Sequence, residues 1–198
     1  MCGRFILDAV NYETRTQLGS DYGQFEILGK GETYPTQTVP LLIAHNPATL
    51  TLQDCQWGLP LKGLGRPVIN ARVETIAQKP LFRNCVPAVL VAQQWLEWRT
   101  EGNRKQPYAF STPNSPLSMA ALYWPEADGP GHCAIVTQSA LDEISEYHHR
   151  MPLLLNASNA EQWLAAEPQG VRASGQDFEI EPYTPPSKKS QPIQQDLF

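Results

Sequence analysis

Between Gly3 and Thr137 the apolar residues of this chain arrive in short runs separated by Gly, Pro, Asn and Asp. A backbone interrupted so often is poorly suited to long helices and pairs instead as short strands joined by turns. Strands are expected at Gly3–Leu7, Leu41–Ala44, Thr49–Trp57, Cys85–Ala92, Pro107–Phe110, Met119–Trp124 and His132–Thr137, with a hairpin turn at Asn46-Pro47. Helical segments are expected at Asn11–Leu18 behind an Asp8 cap, at a start within Gln138–Ser145, and at Asn159–Ala166 capped by Ser158 or Asn159. The 198 residues suit one well-buried domain better than two. After the Gly- and Pro-rich loop Gly58–Pro67, the segment Val68–Glu74 turns polar within an apolar setting, which marks it as site-bearing.

The first residues, Met1-Cys2-Gly3-Arg4, carry unusual chemistry. The small side chain of Cys2 permits removal of Met1, and the chain then begins with both a free amine and a thiol. That pair condenses with an aldehyde to an imine and closes to a thiazolidine, a reaction no internal cysteine can perform. Reference pKa values of ~7.7–8.0 for the amine and ~8.5 for the thiol leave both nucleophiles accessible near neutrality. The plainer reading makes Cys2 a small residue opening an edge strand.

Composition narrows the setting. No apolar run approaches the ~20 residues of a membrane span, and no signal-like segment opens the chain, so a cytoplasmic location is expected. The net charge of −5 argues against indiscriminate coating of nucleic acid; any such contact must be local and geometric. Cys2, Cys55, Cys85 and Cys133 lie too far apart for a CxxC metal knuckle, and the last three read as core thiols. No metal or cofactor site is expected. From about Glu181 the chain is too polar and Pro-rich to offset its ordering entropy, so residues 181–198 read as a flexible tail behind a domain of residues 2–180. The tail ends in Gln194-Gln195-Asp196-Leu197-Phe198, and an apolar pair at such a position reads as a docking peptide.

Several polar residues fit an aldehyde-trapping site. Asn70 can orient a carbonyl or hydroxyl, and Arg4, Arg72 and Arg150 offer guanidinium forks to phosphate. Glu97, between Leu96 and Trp98, is a candidate for a desolvated carboxyl of raised pKa, and His148 can exchange a proton near neutrality. Glu74 is a partner for Arg72 or Arg66.

The blocks Met1-Cys2-Gly3-Arg4-Phe5, Tyr34-Pro35-Thr36-Gln37, Gln56-Trp57-Gly58-Leu59, Ile69-Asn70-Ala71-Arg72-Val73-Glu74-Thr75, Trp95-Leu96-Glu97-Trp98, Lys105-Gln106-Pro107-Tyr108 and His148-His149-Arg150-Met151-Pro152 resemble, in order, the SRAP (SOS response-associated peptidase) family. The resemblance implies a single α+β domain, β-rich with mixed and antiparallel sheets, barrel-like, with a few short helices. It further implies binding to single-stranded DNA and covalent linkage to abasic sites during replication or the SOS response; separately, a monomer is expected. Carried over by position, Cys2 is the nucleophile, Asn70 positions the sugar, Glu97 is the acid/base and His148 the proton shuttle. Arg4 and Arg72 then match positions that hold backbone phosphates, with Arg150 a further DNA-binding candidate from its residue type, and Trp57 and Trp98 supply apolar or stacking surface. The terminal Gln194, Asp196, Leu197 and Phe198 resemble the peptide by which bacterial replication proteins dock on the sliding clamp. Two other functions compete: an N-terminal-nucleophile peptidase or amidohydrolase using the same thiol, and a noncatalytic, clamp-tethered DNA adaptor.

Overall fold

The computed structural model describes residues 2–185 apart from 47, 62, 64, 114, 115, 169 and 174–176. The chain opens with β1 (Phe5–Leu7), then β2 (Val10–Glu13), helix α1 (Thr14–Leu18), β3 (Gln24–Ile27) and β4 (Gly31–Thr33). The expected hairpin follows as β5 (Thr38–Asn46) and β6 (Thr49–Trp57), although its turn includes a residue outside those described. The polar segment contains β7 (Asn70–Arg72) and two 3₁₀ turns, Val73–Gln78 and Pro80–Phe82. Four longer strands come next: β8 (Val86–Ala92), β9 (Gln94–Glu101), β10 (Arg104–Ser111) and β11 (Leu117–Trp124). The rest is β12 (His132–Ser139), α2 (Asp142–Ser145), β13 (Arg150–Pro152), α3 (Ala160–Leu164) and β14 (Glu179–Pro182).

Two sheets organise these elements. Among the described residues, β11, β8, β5, β6 and β12 pair in that order, and β12 pairs back to β11, so they close a small barrel. Closure removes free edges and covers both strand faces, which is why β5 and β11 read as nearly continuous apolar runs instead of alternating ones. The second sheet has the order β14-β10-β9-β1-β4. The fold is thus β-rich, barrel-like and α+β, as expected.

One strand connects the barrel to the chemistry. Residues 132–135 of β12 pair with β6 and β11, while residues 135–139 pair with β7 and β13. β12 therefore leaves the barrel wall and carries two short strands at its far end. Aromatic rings fill the space around it. Trp57 packs on Phe5 at 5.0 Å, Trp95 stacks on Phe110 at 4.9 Å, and the Trp163 indole donates to the Ala88 carbonyl at 3.0 Å, fastening α3 to β8. Cys55 and Cys133 are buried and Cys85 is half-buried, all with free thiols.

Three local expectations change. Residues 11–13 belong to β2 rather than to a helix, because Tyr12 turns into the core and bonds Ser118 at 2.7 Å while its strand pairs with β3. The helix that remains, α1, follows Glu13 and not Asp8. Gln138 and Ser139 extend β12, so α2 begins only at Asp142. Glu181 and Pro182, assigned above to the tail, pair with β10, and the Tyr183 amide still donates to the Pro107 carbonyl at 2.8 Å. An available sheet edge overrides the polarity of that segment.

Gly58, at the exit of β6, has φ +125°, and a Cβ there would meet the Pro67 side chain at 2.8 Å. Gly58→Ala should therefore destabilise the domain by roughly 1–3 kcal/mol, read as a lower denaturant midpoint at unchanged slope.

Candidate active site

Residues 2–4 lie across the seam between the two sheets. The Arg4 carbonyl accepts the Leu96 amide of β9 at 2.9 Å, continuing the antiparallel register that pairs Phe5 with Trp95. The Cys2 carbonyl accepts Nδ2 of Asn70, the first residue of β7, at 2.9 Å. One short peptide is thus tied to both sheets, and the register carried on sets Gly3 level with Glu97. Asn70 turns its other amide atom, Oδ1, into a buried position where it accepts no hydrogen bond among the described residues.

Glu97 sits in the middle of β9, opposite Tyr108 of β10, and is only 3% exposed. Burial pushes its carboxyl up to about 7, against the opposing pull of the positive amino terminus. Cys2 is fully buried. Burial, and secondarily the charge of Glu97, hold its thiol far above the ordinary cysteine range, while the amino terminus acts in the other direction. His148 follows α2, with its amide donating to the Ile144 carbonyl at 3.1 Å. Its Nδ1 lies 2.9 Å from the Arg150 amide and 3.1 Å from the Arg150 carbonyl, so this nitrogen meets a donor and an acceptor of the same residue. Burial, then the positive amino terminus, push the imidazole down to about 4, so the ring is neutral at pH 7. The β1–β9 register and the Asn70 bond bring Cys2 between Asn70 and the strand bearing Glu97, and Tyr147, the neighbour of His148, packs on Tyr108, the residue opposite Glu97.

Cations border this group. The Arg4 guanidinium lies between the rings of Tyr34 and Trp98, at 4.5 and 4.7 Å, and bonds Glu32 at 2.9 Å. Tyr34 is held by its own turn, in which its amide donates to Gln37 Oε1 at 2.8 Å. Arg72 is exposed at the end of β7, with no ion pair among the described residues.

Two expected contact residues are engaged elsewhere. Arg150 does not offer its guanidinium to a phosphate: it is 7% exposed and grips both oxygens of Glu74 at 2.9 Å, with the Thr137 carbonyl at 2.6 Å. That two-pronged pair, rather than one with Arg72 or Arg66, holds the Glu74 carboxyl below the usual range. Trp57 is wholly buried, with its indole donating to the Ile69 carbonyl at 3.1 Å, and presents no stacking face. Trp98 stays half-buried but carries Arg4 on its ring. Glu32 and Tyr34 were not singled out as site residues from the sequence, because their contacts with Arg4 span some thirty positions and leave no local pattern. A cleft of about 740 Å³ lies elsewhere, between the 3₁₀ turns and α3, and includes none of these residues.

Fold and site together define a class: a β-rich domain whose second residue, a cysteine, lies among a buried carboxyl, an amide and a neutral imidazole. The chain matches the model of the SOS response associated peptidase (SRAP) family over residues 1–196 and belongs to that family. It is 30% identical over 187 residues to the abasic site processing protein YedK of Escherichia coli (strain K12), covering 88% of this chain and 84% of that one. It is also 30% identical over 183 residues to the abasic site processing protein YoqW of Bacillus subtilis (strain 168), covering 83% and 80%. A phage-related protein from Bordetella bronchiseptica shares the fold, with a TM-score of 0.74 at 23% identity over 92% of this chain and 94% of that one.

The carboxyl of Glu97 has a consequence for stability. Its folded pKa lies above its unfolded value, so its contribution is present below pH 4.5 and is lost as pH rises through about 7. The shift corresponds to roughly 3 kcal/mol. Glu97→Gln should match wild type in chemical denaturation near pH 4 and exceed it by about that amount at pH 8.

Proposed function

We propose that this protein, once Met1 is removed, captures the ring-opened aldehyde of an abasic site in single-stranded DNA as a thiazolidine on Cys2. The observation that carries this reading is the tie of Cys2 to Asn70 and, through the β1–β9 register, to the strand bearing the buried Glu97, with His148 next to the Tyr147 ring that packs opposite that carboxyl. The names of the relatives, abasic site processing proteins, supply the substrate class.

The order of steps follows from the proton affinities. The buried thiol is held protonated, so the amine acts first, adding to the aldehyde carbon to give a carbinolamine. Loss of water, with a proton supplied by Glu97 and the nitrogen's proton accepted by the neutral ring of His148, leaves the imine. The thiol sulfur then adds to the imine carbon, its proton leaving to Glu97 while the nitrogen takes one up, and the ring closes. The net change is the loss of one water. A carboxyl of pKa about 7 suits both directions, being an acid in one half of its population and a base in the other at neutral pH. Holding amine, thiol and aldehyde together is worth up to ~7–11 kcal/mol in favourable cases. Asn70 orients the opened sugar, and Arg4 and Arg72 hold flanking phosphates while the rest of the acidic surface repels DNA. The same raised thiol pKa weighs against a peptidase that needs a thiolate.

Intact mass spectrometry tests this reading. Incubation with an abasic oligonucleotide should yield a species of protein lacking Met1 plus oligonucleotide less one water, stable to denaturation. Cys2→Ala should form no such stable species, retaining only an amine able to form a reversible imine; a full yield from that variant refutes the mechanism. Retained Met1 should likewise block the reaction.

The tail residues Gln194, Asp196, Leu197 and Phe198 lie outside the described residues. Their pattern supports docking in the groove of a bacterial sliding clamp, with a tether of a dozen residues spanning at most ~40 Å and raising the local concentration of the domain near DNA. Removal of the last five residues should abolish clamp binding and leave crosslinking by the isolated protein unchanged, measured by surface-immobilised clamp and gel assay respectively.

A further inference from the structure

His148 is flanked by two anchors that belong to different sheets. On its C-terminal side, Arg150 is fixed to Thr137 of β12 and to Glu74 of the first 3₁₀ turn. On its N-terminal side, Tyr147 packs edge-on against Tyr108 at 4.8 Å and Phe110 at 5.2 Å, both on β10. Tyr108 is the residue directly opposite Glu97 in the β9–β10 register, so its ring lies beside the carboxyl on the same face. Arg99, two residues beyond Glu97, covers the Tyr147 ring at 5.3 Å and pairs with Glu146 at 2.8 Å.

Magnitudes decide which of these contacts holds the segment. The Arg99–Glu146 pair has side-chain exposures of 38% and 54%, and ion pairs in such solvent contribute little. The ring contacts are half-buried and are the stronger element. We propose that Tyr147 is a positioning residue for His148, the ring that seats the imidazole against the strand bearing Glu97 while Arg150 holds it to the barrel side. The catalytic roles of His148 and Glu97 rest on the function proposed above; the seating itself does not.

The test separates the two claims. The charged groups that face His148 are the amino terminus, His149 and Arg150. Releasing the ring from its seat lets water reach it, so in Tyr147→Ala the imidazole pKa, followed by NMR of the His148 ring protons, should rise toward the free value of ~6.5. The same variant should form the abasic-site adduct roughly tenfold more slowly or worse, with affinity for intact single-stranded DNA within about twofold of wild type. Tyr147→Phe keeps the ring and should behave as wild type in all three measurements. An unchanged His148 titration and adduct rate in Tyr147→Ala overturns the proposal, as does a loss of affinity parallel to the loss of rate. Should Tyr147→Ala not fold, Arg99→Gln, which uncovers the ring but leaves its packing, must give a smaller shift in the same direction; no shift overturns the proposal. If wild type forms no adduct at all, the function fails and the His148 titration alone still judges the seating.

Discussion

The site depends on the tying of one short peptide to two sheets. The Cys2 carbonyl is held by Asn70 and the Arg4 carbonyl by Leu96, each at 2.9 Å. Neither bond is strong on its own, a backbone hydrogen bond contributing about 1 kcal/mol net. Their joint effect is geometric: segments near chain ends ordinarily fray, and this one is held at the Cys2 and Arg4 carbonyls over a seam that neither sheet forms alone. Glu97 comes from one side of that seam and Asn70 from the other, so the register of the first strand sets the distance between them.

Burial then tunes the groups in opposite chemical senses for a single physical reason. Loss of water disfavours charge, so the carboxyl of Glu97 rises to about 7 and the imidazole of His148 falls to about 4. At pH 7 the imidazole is therefore neutral and the carboxyl about half ionised, a pair suited to proton exchange. Charge is kept at the border. Arg4 is clasped by two rings and an acid, and Arg72 is exposed, on a chain whose net charge is −5.

Much of this was legible from residues in order. The spacing of Gly and Pro among apolar runs announced the strands, and β6 runs from Thr49 to Trp57 as expected. Glu97 stood out because a carboxyl between Leu96 and Trp98 has few ways to remain in water. What misled was local resemblance without tertiary knowledge. Arg150 has the same side chain as Arg4, but a carboxylate seventy-six positions away claims both of its prongs. Trp57 has the same ring as Trp98, but its strand faces Phe5 and not the surface. The helix expected over Asn11–Leu18 lost its first residues to pairing with β3, an interaction that propensity along the chain does not contain.

The sequence by itself determined that the chain would be a strand-rich domain with a cysteine at its second position and an amide, a carboxyl and an imidazole among its polar residues, because periodicity, turn chemistry and residue type are properties of neighbours. Only the tertiary structure decided which of these residues meet, which arginines are spent on structure, and how far each proton affinity moves. Those are properties of distance and of excluded water, and both are set by pairings between residues far apart in the chain.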